Sequence, residues 1–510
     1  MPPLRKVLIR ADASPDIGLG HVMRSLALAR ALAAKRREVV FASRAATGIA
    51  QQLIEAAGFP HRQLSADLRE SVDAEGTLAA AKAEGAGMVV VDHYGAGAEW
   101  YRRVGTELPL AVIDDFGDPA AAEHAALVLN QSPAADASIY RDKPLLLCGA
   151  RYAMLRDSIV DLRIRRKARG CDSDTGRVLV TYGGADPRGM TPRIVEALRG
   201  LAAIRKLVVV TGPAYRQREA MAALVSEIPG AEYRHAVPDL TTYLVDADVA
   251  VTAGGTTLHE AMCIGVPCVV IEAASNQHGQ IVEHAQAGAI KALGPVDRFE
   301  AAALRAAVEE LLADPAARSR MAHEARTIVD GYGAQRVAEG LLNSLRRDVP
   351  ILHSTPGIQM RPASMDDAEL LLNWRNDPLT RLMSLSADEV TLEEHLRWLE
   401  GTLKRTDREL LIGEFQGEAV GLGRHDYFGQ NDSLLNINMN SLARGRGFAV
   451  GLLGAAMRWP AAKRGPTLIH GHVFPENSAS QRMVQQNGMA RHGYVKVRGG
   501  WAVHWTRLMK

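Results

Sequence analysis

Residues 7–33 open with Val7-Leu8-Ile9-Arg10, turn through Ala11-Asp12 to Ile17-Gly18-Leu19-Gly20-His21, and continue as Val22-Met23-Arg24-Ser25-Leu26 to Ala33. A short apolar run, a glycine-rich corner and a long Ala/Leu-rich stretch read as strand, turn and helix. Glycine at such a corner lets the backbone approach a ligand closely, and the free N–H groups of the helix start attract negative charge. His21 would sit in the first helical turn, where the positive end of the helix dipole disfavours imidazolium and keeps the ring able to accept a proton. The same place suits a histidine that only caps or packs the helix, and a G-x-G turn alone does not choose between the two.

Working outward, the strand-then-helix alternation continues to about Arg347. Strands are expected at Val7 to Arg10, Glu38 to Ala42, Met88 to Asp92, Leu110 to Asp114 and Leu127 to Asn130, then at Arg177 to Tyr182, Lys206 to Thr211, Asp248 to Thr252 and Cys268 to Ile271. This is the grammar of parallel sheets covered by helices on both faces. The charged, turn-rich stretch from Ile164 to Gly176 interrupts it and is expected to connect two Rossmann-like halves, residues 1–165 and 166–347. Ligands of such sheets bind at the carboxyl ends of the strands, here in a cleft between the halves. Residues 348–357 have the composition of a linker, and residues 358–510 change grammar to an α+β domain. The expected fold class is therefore α/β, a pair of Rossmann-like domains followed by a smaller α+β domain.

Composition narrows the function. The chain has 510 residues with 60 Lys+Arg against 58 Asp+Glu, a formal charge of +2. That balance supplies no global field for nucleic acid or an anionic membrane, so neither is expected as a partner. The four cysteines, Cys148, Cys171, Cys263 and Cys268, show no C-x-x-C spacing, so no metal is expected. No apolar run of membrane-spanning length occurs, and a cytoplasmic protein is expected. Nothing in the sequence speaks to oligomeric state.

Two more glycine loops follow strands in the second half, Gly183-Gly184-Ala185-Asp186 and Gly254-Gly255-Thr256-Thr257, and each offers backbone N–H groups to a pyrophosphate. Glu260, one turn into the next helix, is placed to accept hydrogen bonds from a ribose diol. A tight turn that needs glycine explains each motif separately; together, at facing strand ends, they describe a nucleotide-sugar cleft.

In order along the chain, Arg10-Ala-Asp-Ala-Ser, Ile17-Gly-Leu-Gly-His-Val-Met-Arg, Val91-Asp-His-Tyr94, Gly183-Gly-Ala-Asp, Gly254-Gly-Thr-Thr and Asn276-Gln277 resemble one family. It is the UDP-2,4-diacetamido-2,4,6-trideoxy-β-L-altropyranose hydrolases of pseudaminic acid biosynthesis, similar in fold to MurG-type GT-B glycosyltransferases. The resemblance implies hydrolysis at the sugar C1 with inversion and release of UDP, water being activated by His21. It implies sugar contacts from Arg10, Asp12, Gly20, Tyr94, Asn276 and Gln277, and UDP contacts from Gly183, Gly184, Gly255, Thr256, Thr257 and Glu260.

In the last domain, Arg444-Gly445-Arg446-Gly447-Phe448-Ala449 caps an apolar helix from Val450 to Trp459, and Glu476-Asn477 precedes a helix from Ser478 to Asn487. With Trp374-Arg-Asn-Asp-Pro378 and His395-Leu-Arg-Trp398 these residues resemble the GNAT acetyltransferases that N-acetylate amino sugars. The resemblance implies acetyl-CoA as co-substrate, its pyrophosphate held by Arg444, Gly445, Arg446, Gly447 and Ala449, with Asn477 at the same site. Val484 departs from the pattern, standing where many of these enzymes carry a tyrosine acid. His470 and His472, two apart on one strand, share a face and suit acid or base chemistry as well as a structural role. The resulting expectation is a bifunctional sugar-nucleotide enzyme that acetylates a 4-amino UDP-sugar and hydrolyses the diacetamido product. A MurG-like glycosyltransferase, or a sugar-nucleotide sensor with a degenerate acetyltransferase domain, are the alternatives.

Overall fold

A computed structural model describes residues 5–13, 19–44, 49–67, 69–132, 137–140, 145–169, 176–237, 239–344, 357–429 and 431–509. Contacts divide the chain into two compact units, Met1–Leu345 and Arg346–Lys510. The linker read at 348–357 lies, except for Gly357, outside the described residues.

The first unit holds two parallel sheets. The strands of the first are β1 (Lys6–Ala11), β2 (Glu38–Arg44), β3 (His61–Leu64), β4 (Val89–Asp92), β5 (Leu110–Ile113), β6 (Leu127–Asn130) and β7 (Leu145–Cys148), ordered β3-β2-β1-β4-β5-β6-β7. The second contains β8 (Arg177–Thr181), β9 (Lys206–Thr211), β10 (Ala231–His235), β11 (Val249–Thr252), β12 (Cys268–Glu272) and β13 (Lys291–Pro295), ordered β10-β9-β8-β11-β12-β13. Central strands such as β4 and β11 are buried at every residue, which is what a sheet covered on both faces demands of its Val/Ile/Leu runs. In each sheet the order reverses between the first and fourth strands. The loops after β1 and β4, and after β8 and β11, therefore flank the two crevices where such sheets bind ligands.

The stretch expected to be a plain connection is corrected in part. Ile164 lies inside a helix, Ser158–Arg169, so the boundary drawn at 165/166 cuts a helix, while residues 170–175 lie outside the described residues. The last helix of the unit, Gly333–Ser344, returns to the first sheet and seats Ala334, Val337, Ala338 and Leu341 in its core. A side chain at Gly333 would collide with the backbone of Tyr152 and Ala153, so glycine permits this close return.

The second unit is one seven-stranded sheet: β14 (Gln359–Pro362), β15 (Arg408–Phe415), β16 (Glu418–Phe428), β17 (Asp432–Met439), β18 (Thr467–Val473), β19 (Ala490–Val497) and β20 (Gly500–Met509), ordered β14-β15-β16-β17-β18-β20-β19. Only β17 and β18 run parallel, and they pair only from Asp432↔Leu468 to Leu434↔His470. Beyond that pair the two strands have no mutual register, which leaves an open notch between Leu435–Met439 and Gly471–Val473. The helix expected to stop at Trp459 runs on as Phe448–Arg464 with Pro460 inside it. Pro460 has no N–H for the carbonyl of Ala456, and the buried His425 Nε2–H supplies the missing donor at 3.1 Å while its Nδ1 meets Ser433 Oγ at 2.8 Å.

Candidate active sites

His21 is the second residue of the helix Gly20–Ala34, whose start carries no side-chain cap. Its Nδ1 lies 2.5 Å from Asp92 Oδ1, at the carboxyl end of β4, so the corner after β1 and the end of β4 meet at the crevice. Asp92 is fully buried and also accepts from Arg24 Nη2 and Nε at 2.6 and 2.8 Å and from Ser25 Oγ at 3.1 Å. Despite burial, the Arg24 guanidinium and the His21 ring hold its carboxyl well below the usual range. A carboxylate at Nδ1 favours the tautomer with the lone pair on Nε2. Such a ring can take a proton from water. Arg24 reaches on to Asp115 at 2.9 Å, and Tyr94 Oη donates to Asp115 at 3.1 Å. Tyr94 presents its ring edge-on to His21, centroids 4.4 Å apart, and Phe116 packs against Tyr94 at 5.0 Å. Both aromatics are exposed, Tyr94 to 49% and Phe116 to 64%, which gives the crevice an apolar wall.

Arg10 and Asp12, expected to contact the sugar, are engaged with protein partners. Arg10 is wholly buried and bound by Asp12 at 2.5 and 2.8 Å and by Asp73 at 2.6 Å, while Asp12 also accepts from Arg44. A buried guanidinium must be paired, and these two carboxylates do so; the cluster holds the end of β1 in place. Gly20 touches the second half, since a Cβ there would lie 3.7 Å from Thr256 Oγ1. The loops after β1 and β11 thus meet.

In that second half the helix Thr256–Ile264 begins at Gly255 with no side-chain cap, and a Cβ on Gly255 would enter open space. Thr256 and Thr257 therefore open an uncapped helix start suited to an anion. The Gly183-Gly184 loop differs. Gly183 has φ +76°, a left-handed turn, and Asp186 takes the N–H groups of Met190 and Thr191 at 2.8 and 2.7 Å, so that helix start is already occupied. Glu260 lies beside Arg156, 3.2 Å away, and burial pushes its carboxyl up. Gln277 Oε1 accepts from Gly254 and Ala273 N–H at 3.1 and 3.0 Å and so fixes the glycine loop. Asn276, beside it on the turn Ser275–Gln277, is exposed. Sequence reasoning missed Asp92, Arg24 and Asp115; the quoted runs Val91-Asp-His-Tyr94 and His21-Val-Met-Arg24 contained the first two, without a geometric reason to single them out.

In the second unit Gly445 and Gly447 have φ +75° and +85°, and Gly447 caps the helix Phe448–Arg464 with no side-chain partner for its N–H groups. This is the concave run of N–H groups a pyrophosphate requires. Arg446 is half-exposed over the Phe448 ring at 5.0 Å, and Ala449 packs against the core. Arg444 is tied to Asp377 at 2.6 Å and to Thr380 Oγ1 at 2.7 Å, so it braces the loop. Asn477 caps the helix Ser478–Gln486, its Oδ1 accepting from Ser480 N–H at 3.0 Å. Val484 is buried in the core with Met483 and Met489. His470 and His472 join His504 and His492 in one cluster.

Among the described residues no three His, Cys, Asp or Glu side chains are arranged to hold a metal, and no helix is long and apolar enough to cross a membrane.

Residues 358–490 match the family model "Acetyltransferase (GNAT) domain". An uncharacterized protein of Methanocaldococcus jannaschii is 22% identical over 80% of this chain and 81% of its own length. The spore coat polysaccharide biosynthesis protein SpsG of Bacillus subtilis is 24% identical over 67% of the chain and 99% of its own length. The UDP-2,4-diacetamido-2,4,6-trideoxy-β-L-altropyranose hydrolase of Campylobacter jejuni is 26% identical over 38% of the chain and 65% of its own length. The Acinetobacter baumannii MurG structure superposes with TM-score 0.50 at 17% identity, covering 67% of this chain and all of that one, which shows the GT-B-like fold.

Proposed function

We propose that this chain, a GT-B-like unit resembling sugar-nucleotide hydrolases joined to a GNAT domain, performs two consecutive reactions of pseudaminic acid biosynthesis. The second unit transfers acetyl from acetyl-CoA to the 4-amino group of a UDP-sugar, and the first unit hydrolyses the resulting UDP-2,4-diacetamido-2,4,6-trideoxy-β-L-altropyranose. The observation that carries the hydrolytic half is the Asp92–His21 pair, 2.5 Å between Oδ1 and Nδ1, at the strand ends. His21 Nε2 takes a proton from water, the water oxygen bonds to sugar C1 from the face opposite UDP, and the C1–O bond to the β-phosphate breaks. Proton acceptance by a positioned histidine contributes about 10²-fold to 10⁴-fold.

The uncapped helix start at Gly255, Thr256 and Thr257 binds the pyrophosphate, Glu260 the ribose diol, and Gly183 with Gly184 line the same crevice. Gly20 and Tyr94 line the sugar side, and exposed Asn276 supplies an amide partner for an acetamido group. Arg10, Asp12 and Gln277 act as positioning residues. In the second unit the N–H groups at Gly445, Gly447 and the start of the helix Phe448–Arg464 would hold the acetyl-CoA pyrophosphate, with Arg446 beside them. The group supplies an activated acetyl thioester. The balanced charge and the absence of a spanning helix among the described residues fit a cytoplasmic enzyme.

The test is incubation of the purified chain with the diacetamido UDP-sugar in water, with no acceptor. Release of UDP and free sugar with inverted C1 configuration supports the reading. Turnover only after an acceptor alcohol is added would instead make the first unit a glycosyltransferase.

A further inference from the structure

The acetyltransferase reading needs an acceptor for the proton of the attacking amine, and Val484, buried in the apolar core, offers neither an acceptor nor an acid for the departing thiolate. One group of residues answers this. His470 Nε2 lies 2.9 Å from Asp432 Oδ1, and His470 Nδ1 lies 3.0 Å from His504 Nε2, the two rings nearly parallel at 7°. With Nε2–H donated to Asp432, His470 accepts at Nδ1, so His504 donates its Nε2–H and keeps its lone pair on Nδ1. His472 stands directly opposite His504 in the β18–β20 ladder, the ring edge-on at 5.4 Å. His492 of β19 closes the cluster, 5.6 Å from His504 and hydrogen-bonded to Thr506 at 2.7 Å.

The cluster also lies where acetyl transfer would occur. Alternation puts Asp432, Leu434, Asn436 and Asn438 of β17 on the same sheet face as His470 and His472 of β18. Pairing of the strands ends at Leu434↔His470, so His472 and Asn436 face one another across the open notch. A continuous set of contacts joins this place to the glycine loop: Arg444 donates to Thr380 Oγ1 at 2.7 Å, and Thr380 donates to Asn438 Oδ1 at 3.0 Å. Backbone on both sides of the notch is free of β17–β18 pairing, where a thioester arm held at Gly445–Gly447 would find hydrogen-bond partners, and His472 is an exposed imidazole on β18 just beyond the last paired residue.

Resting on the acetyltransferase reading, we propose that His472 is the proton acceptor of acetyl transfer, and that the hydrogen-bonded row Asp432–His470–His504 is the fixed surface that positions it. The amine nitrogen bonds to the acetyl carbonyl carbon, the C–S bond breaks, the amine proton passes to His472, and the departing thiolate takes a proton from water. The titratable groups facing His472 are His470 on its own strand and His504 on β20, with His492 of β19 and Asp432 of β17 behind them. Partial burial of the ring, and then His504 and His470, lower its proton affinity below the ordinary histidine value.

The experiment uses the full chain, acetyl-CoA and a 4-amino UDP-sugar. No acetyl transfer by the wild-type protein would remove the reading on which the inference rests. Given wild-type turnover, His472→Ala is expected to lose about 10²-fold in kcat/KM, the scale of general-base loss, to bind acetyl-CoA unchanged in calorimetric titration, and to regain rate with added imidazole. Its acid limb in the pH profile should vanish, since that limb reports the base becoming protonated as pH falls. Wild-type rate in His472→Ala, or a loss matched by lost acetyl-CoA affinity and not rescued by imidazole, would overturn the proposal.

Discussion

At the scale of single residues, the first unit's chemistry turns on one proton position. Asp92 Oδ1 holds His21 Nδ1–H, and removing either side of that pair should act on turnover more than on binding. His21→Leu is expected to lower hydrolytic kcat by about 10²-fold or more, with UDP affinity retained. Asp92→Asn should fall by a comparable factor, because an amide can donate to Nδ1 and invert the tautomer, taking the lone pair from Nε2. Steady-state kinetics beside UDP titration checks both, and near-normal kcat in either variant would remove His21 as base. His21 itself was legible, since a histidine behind a G-x-G corner has a reason to be there. Its carboxylate was not. Asp92 is 71 positions away along the chain, and only the β1–β4 adjacency brings it to the ring. Nor does the sequence reveal that Arg10 and Asp12 have Asp73 and Arg44 as partners.

At the scale of elements, the central strands and the glycine corners were readable because burial on both faces forces unbroken apolar runs. The strands overlooked are β3, β7, β10, β13 and β19, every one at a sheet edge. Edge strands such as β10, Ala231-Glu232-Tyr233-Arg234-His235, are half-wet and lose that signature. The helix Phe448–Arg464 was cut short for a related reason: Pro460 reads as a stop, and only the fold shows His425 serving the carbonyl it frees.

That helix supports two predictions. Gly447→Glu places a carboxylate at an anion cradle and imposes a side chain on φ +85°, so acetyl-CoA binding should be lost while hydrolysis by the first unit persists. Undiminished binding by calorimetry would put the cofactor elsewhere. His425→Phe strands the Ala456 carbonyl and should destabilise the second unit by about 1–3 kcal/mol in denaturant unfolding. Burial lowers His425 to about 4, below the roughly 6.5 of an unfolded histidine. The unfolded chain therefore binds the proton first, so the neutral ring's contribution is complete above about pH 6.5 and declines as pH falls toward 4. The variant should lose part of that acid sensitivity; an unchanged pH dependence would show that His425 is not its source.

At the scale of the whole molecule, one chain carries a GT-B-like unit and a GNAT domain, and on the proposed function their reactions share an intermediate. Tethering raises the concentration of each site around the other's product without requiring a sealed passage. The family-model match on 358–490 and the relatives of the first unit agree with the resemblances read from motif order. In the proposed function the order of the two steps requires the crevice of the first unit to prefer an acetamido group, through a partner such as Asn276.

The most direct measurement is UDP release from a 4-amino UDP-sugar by the full chain, followed with and without acetyl-CoA. With acetyl-CoA the account predicts UDP and free diacetamido sugar, preceded by the acetylated nucleotide; without it, UDP release should be slow. Equal release of UDP under both conditions would contradict it.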